Sequence, residues 1–290
     1  MSKLPEDWCS RVIRGGLPTD APPADTVVTR REAALVWHHL VQSGGAQACP
    51  APVITALHQS SAARALEAEL LNRELRRVLA AAQDAGVSVV TIKGAAIAHT
   101  HYPQPHLRPR GDSDIVILPR DRDALFHVLR TCGYTPSSAV DGDLVTRQGQ
   151  WQLPLGRGLI HTLDVHWEIF NPHAFAGVLS VEEVLDRSVS LPELGRSARA
   201  PHVVHALLLA CAHRVAHHAG DEDILWLYDI RLLAESLSEA EAHEFITLAA
   251  TRRVSTVCAD GLTAVRRVVG GRYPEALQSW IQSGTWRDMT

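Results

Sequence analysis

The chain has 290 residues, 46% of them hydrophobic, and a formal net charge of −4. That length and apolar content exclude a disordered chain and suffice for one large or two modest cores. The slightly acidic balance excludes a general attraction to long nucleic acid, which needs a basic surface, whereas a small nucleotide needs only a pocket.

Residues up to about Val28 are rich in proline and aspartate (LPTDAPPADT) and predict an irregular lead-in. Thr29-Arg30-Arg31-Glu32 has the pattern of a capping box, so a helix is expected to open at Thr29 and run to the Ser43-Gly44-Gly45 stop. A longer helix is predicted from Pro52 to about Ala85. Its apolar stripe of Leu66, Leu70, Leu71, Leu75, Val78, Leu79 and Ala82 suits packing on a sheet, with Arg73, Arg76 and Arg77 on a solvated face.

Residues 87–118, VSVVTIKGAAIAHTHYPQPHLRPRGDSDIVIL, hold the densest set of chemically capable side chains. The β-branched run through Ile92 predicts a buried strand, and Lys93-Gly94 then turns it into a helix start. Gly94 lets backbone amides approach a phosphate closely, the helix N-terminus adds partial positive charge, and Lys93 adds a full one. After a proline-bearing loop come Arg108, Arg110 and Gly111, then Asp112-Ser113-Asp114 at the start of a second strand. Alternation puts Asp112 and Asp114 on one face, where they repel unless a cation lies between them. Magnesium, with manganese as a substitute, takes such hard carboxylate oxygens together with substrate phosphate, and Arg108 and Arg110 stand where they can meet the phosphate charge. The plain alternative is a polar turn that opens a strand.

A short helix is predicted over residues 121–131, ending at Gly133. Two strands follow, residues 144–153 and 159–167, joined through a turn at Gly156 to Gly158. In the second, LIHTLDVHWE, alternation places Thr162, Asp164, His166 and Glu168 on one face and His161, Leu163, Val165 and Trp167 on the other. If this strand lies beside that of Asp112, Asp164 makes a third carboxylate, and three can hold two divalent ions for an in-line phosphoryl displacement. His166 either positions substrate or packs beside Trp167.

A short helix over 181–186 and connecting chain over 192–201 lead to a run of helices: about 203–218, 223–236, 239–252, 255–269 and 274–282. His213 and His217 lie one turn apart, but no His-Glu-x-x-His motif completes a zinc site, so ordinary structural histidines, with His218, are the stronger reading. Asp229 and Arg231 read as structural, paired with histidines or backbone, rather than catalytic. The five cysteines, Cys9, Cys49, Cys132, Cys211 and Cys258, are widely spaced, form no Cys-x-x-Cys, and predict reduced thiols. No secretory leader pattern and no spanning apolar run is present, so a cytoplasmic protein with no membrane partner is expected.

Lys93-Gly94, the Tyr102-Pro103 loop, LRPRGDSDIVIL, Cys132-Gly133-Tyr134 and LDVHW together resemble the uncharacterised bacterial nucleotidyltransferase family of the DNA polymerase beta-like superfamily. The resemblance implies an α+β fold. Its parts are N-terminal helices in 1–85, a small mixed-sheet nucleotidyltransferase core in 86–200 and a helical domain in 201–290. It also implies Asp112 and Asp114 as paired metal ligands with Asp164 as the third carboxylate, beside the Lys93, Gly94, Arg108 and Arg110 that the residues themselves place at the nucleotide. The superfamily commonly carries Gly-Ser at the first turn; here the turn reads Lys93-Gly94-Ala95. The expected activity is magnesium-dependent transfer of a nucleoside monophosphate from an NTP, ATP by default, to a small-molecule, peptide or protein acceptor, with release of pyrophosphate. A metal-dependent phosphohydrolase and a non-catalytic binding module of toxin–antitoxin type are the alternatives.

Overall fold

The computed structural model describes residues 7–16, 19–137 and 147–288, without the side chains of 287 and 288. Where composition predicts irregular chain, it has two short helices, α1 (Trp8–Ile13) and α2 (Ala24–Val28). Trp8, Cys9, Val12 and Ile13 recur at helical spacing and are buried, and that burial outweighs the polar flanks. Thr29 does not open the next helix. Helix α3 (Ala33–Gln42) starts after Glu32 with no side-chain cap, while the Thr29 hydroxyl donates back to the Thr26 carbonyl at 2.9 Å. Arg30 Nε holds the Glu32 carboxylate at 2.7 Å, drawing the expected box partner into an ion pair.

Helix α4 (Ala51–Asp84) has Pro52 in its first turn, where a missing N–H costs nothing. Val53 and Leu57 pack with α1 to α3, whereas Leu75, Val78, Leu79 and Ala82 pack on the sheet. Leu66 falls between these two regions and is 66% exposed, so the apolar stripe is not continuous.

The central elements follow in order: β1 (Val90–Ile92), α5 (Lys93–Thr100), β2 (Asp112–Val116), α6 (Arg122–Thr131), β3 (Thr135–Pro136), β4 (Gln148–Gly156) and β5 (Leu159–His166). They form a mixed sheet of order β1-β2-β5-β4-β3, in which only β2 and β5 run parallel. The part of the predicted strand between 144 and 146 lies outside the described residues. On one face Ile115, Ile117, Leu163, Val165 and Trp151 pack against α4 and α6. Full burial of such a side chain stabilises by roughly 1.5–3 kcal/mol, which holds the strands in register.

Helix α7 (Val181–Asp186) has a true capping box from Ser180 and Glu183. The stretch predicted as plain connecting chain contains a small hairpin, β6 (Val189–Ser190) with β7 (Arg199–Ala200), closed by buried Leu191, Leu194 and Ala198. The helical remainder is α8 (Val203–His218), α9 (Ile224–Ser236), α10 (Glu239–Thr251), α11 (Ser255–Val268) and α12 (Glu275–Ser283), close to the predicted bounds. These helices share a core with α1 to α3 and with Val90, Ile92 and Val116 from the second face of the sheet. The class is therefore α+β, a small mixed sheet flanked by helices.

Candidate active site

The parallel register of β2 and β5 sets Asp112 against Thr162, Asp114 against Asp164 and Val116 against His166. Since side chains alternate, Asp112, Asp114, Asp164 and His166 share the face turned away from α4 and α6. His166 Nε2 lies 2.9 Å from Asp114 Oδ1. Gln150, the β4 partner of Asp164, donates from Nε2 to Asp164 Oδ1 at 3.1 Å. One ligand atom each of Asp114, Asp164 and His166 lies within 4.8 Å of the others. Asp112 is outside that close group, at the exposed end of β2, and lines the same cavity.

Strand β1 ends with Ile92 opposite Asp114, so the next residue emerges beside the cluster. Lys93 takes a left-handed backbone (φ 53°), a strain of roughly 1–2 kcal/mol for a residue with a Cβ. The turn aims its Nζ at Asp114 Oδ1, 2.7 Å away, and leaves it 3.4 Å from His166 Nε2. Gly94, the second residue of α5, lies under the Arg108 guanidinium; a Cβ there would meet Arg108 Cζ at 3.3 Å. Lys93 and Gly94 thus line the cavity next to the carboxylates.

The two arginines differ. Arg108 lines the cavity as expected, but its charge is already paired. It is buried against Asp229, with Nε 2.8 Å from Oδ1 and Nη2 2.8 Å from Oδ2, and Tyr102 donates its hydroxyl to the same carboxylate at 2.8 Å. Asp229 accordingly pairs with Arg108 and Tyr102, while Arg231 reaches Glu235 and, as expected of it, backbone at the Val269 carbonyl. Arg110 is equally buried but bonds neutral acceptors, Ser113 Oγ at 3.2 Å and Asn72 Oδ1 at 2.7 Å. Behind it, His161 Nε2 lies 3.0 Å from Ser113 Oγ, and the Tyr134 hydroxyl lies against His161 Nδ1.

Electrostatics follow from these contacts. Burial raises the Asp114 carboxyl, but Lys93 and His166 outweigh burial and hold it well below the usual range. Burial and the Asp114 charge push Asp164 up to about 6, against the Gln150 hydrogen bond. Asp112 is raised by partial withdrawal from water and by Asp114. Burial lowers Arg110 to about 10, which leaves it a cation at neutral pH. Two crowded carboxylates with an imidazole beside them, one already drawing in an ammonium group, are a donor set that suits a hard divalent cation.

The cavity holds about 580 Å³, within the range of small-molecule sites. Its far side is made by α8 and α9, which contribute His213, His217, His218 and Trp226. Sequence patterning left His166 open and did not single out Gln150, Asn72, Ser113 or Trp226. The signal for His166 and Gln150 was strand alternation; for Asn72 and Trp226 none existed, because each reaches the site from a distant helix.

A family model described as uncharacterised nucleotidyltransferase matches residues 25–270, and the chain belongs to that family. The family supports nucleotidyl transfer as the class of chemistry, and the chain has the α+β class expected, a small mixed sheet with flanking helices. No curated protein matches the sequence. Among solved structures, the antibiotic-resistance factor ANT(2'')-Ia is similar at 15% identity and a TM-score of 0.45, over 65% of this chain and 96% of that one. JHP933 from Helicobacter pylori is similar at 11% identity and a TM-score of 0.39, over 78% of this chain and 97% of that one. Among the described residues no helix is long and apolar enough to cross a membrane.

Proposed function

We propose that the protein transfers a nucleoside monophosphate from an NTP to a small-molecule, peptide or protein acceptor, releases pyrophosphate, and depends on magnesium or manganese. The observation that carries this reading is the meeting of Asp114 and Asp164 on adjacent parallel strands, with Asp112 on the same face and the Lys93-Gly94 turn beside them. Asp112, Asp114 and Asp164, with His166 beside them, would hold the divalent cation, which when bound supplies Lewis acidity at the reacting phosphate and neutralises its charge.

The chain's own groups perform the remaining work. Arg110, held by neutral partners, keeps its charge for the triphosphate; Lys93 and the amides at Gly94 orient it. Arg108 acts one step back, tying Asp229 of α9 to the loop before β2 and roofing Gly94. The acceptor oxygen forms a bond to the α-phosphorus while the bond to the bridging oxygen of the pyrophosphate breaks. Asp164 takes the acceptor proton, with Gln150 fixing its Oδ1. Within this reading ATP is the default donor and the site lies in a cytoplasmic enzyme of class 2.7.7.

Incubation with each labelled NTP, Mg²⁺ or Mn²⁺ and a panel of acceptors tests this. Label transfer with pyrophosphate release is expected in the wild type and absent in Asp114→Ala. Ala95, where a serine is common, and the ion pair between Lys93 and Asp114 favour a second reading, a nucleotide-binding module without transfer. Nucleotide binding indifferent to divalent cations and to loss of Asp164, without labelled product, would select it. Inorganic phosphate release with no nucleotide-labelled product would instead mean hydrolysis.

A further inference from the structure

Four rings from α8 and its successor run in series along one wall of the cavity. His217 stacks on His213 (centroids 4.7 Å apart, 25° between planes), His213 meets His218 edge-on at 5.0 Å, and His218 stacks on Trp226 at 3.8 Å and 29°. All four line the cavity that holds Asp114 and Lys93. Trp226 is fixed from below, because Asp223 caps α9 by accepting from the Leu225 and Trp226 amides.

This wall is poorly suited to phosphate. The guanidinium groups that line it are paired: Arg31 with Asp223 at 3.2 Å, and Arg214 with Asp260 and the Gly220 carbonyl. The imidazoles add no cation at neutral pH, since burial and the nearby Lys93 charge lower all three. Nor do the three histidines make a close ligand group for a metal among the described residues. What the wall offers is uncharged π surface beside a triphosphate site, and every base has a π face to lay on it.

We infer that the series His217, His213, His218 and Trp226 is the nucleobase platform of this site, an inference that rests on the nucleotide reading above. The class of ligand is a nucleoside triphosphate held at one end by charge and at the other by stacking. Stacking tolerates any base, so this wall distinguishes the four NTPs weakly.

Calorimetry in Mg²⁺ with ATP, GTP, CTP, UTP and inorganic tripolyphosphate, on wild type, Trp226→Ala and His217→Ala, separates the two claims. Trp226→Ala is expected to weaken the NTPs about tenfold and His217→Ala severalfold, with tripolyphosphate affinity held within twofold. His217 is exposed, so its variant decides the matter if Trp226→Ala fails to fold. NTP affinity unchanged in both folded variants, or tripolyphosphate lost in parallel with the NTPs, overturns the platform. Failure of the wild type to bind either ligand overturns the nucleotide reading and the platform with it.

Discussion

Asp114 and Asp164 face each other as Cα partners across the parallel pair β2 and β5, while the Lys93 ammonium sits on the Asp114 oxygen that also meets His166. Crowding of like charges at that point is a local cost to the fold, and relief by a divalent cation is its chemical use. The same pair therefore has a stability signature and an activity signature.

Replacing Asp164 with Asn removes the repulsion and keeps a partner for Gln150. In the absence of metal the variant should melt at or above the wild-type temperature. Mn²⁺ should raise the melting temperature of the wild type and leave that of the variant nearly unchanged, and transfer should fall by more than the roughly 10–100-fold of an outer-shell loss. Equal stabilisation of both proteins by Mn²⁺ would count against Asp164 as a ligand.

Arg108 and Asp229 make a buried ion pair with Tyr102 as a third partner. Removing one member leaves a charge without its partner in a dry setting, which costs roughly 3–5 kcal/mol. Arg108→Ala and Asp229→Asn should each lower the denaturant midpoint strongly, and the double variant should lose much less than their sum. Additive losses would mean that the pair does not act as a unit.

At Gly94 the geometry is tight on one side only. A methyl group must displace the Arg108 guanidinium, which lies 3.3 Å from the Cβ position. Gly94→Ala should cost about 1 kcal/mol of stability and weaken tripolyphosphate binding, both read in one series of melts and titrations. An unchanged affinity would remove Gly94 from the phosphate site.

His161 is fully buried between Ser113 and Tyr134, and burial followed by the Arg110 charge lowers it from 6.5 to about 4. The depressed folded value means its contribution is complete above the unfolded pKa and is lost as pH falls from near 6.5 toward 4. That loss is on the order of 3 kcal/mol. Chemical denaturation at intervals across this window should show a decline that is shallower in His161→Gln. A parallel decline in the variant would assign the acid sensitivity to other buried histidines.

Much of this was legible in one dimension. The apolar run into Lys93-Gly94, the alternating carboxylates from Asp112 and the period of the last five helices each follow from local rules of backbone and patterning. So the chain by itself determined which face of β5 carries Asp164 and His166, and the family resemblance that the match over residues 25–270 bears out. The tertiary structure alone decided that β2 and β5 are neighbours and parallel, that Asp229 claims Arg108, that Asn72 holds Arg110, and that Trp226 and His218 wall the cavity. Those are contacts between residues far apart in the chain. They arise from how whole faces bury against one another, and no spacing rule within a single segment encodes that.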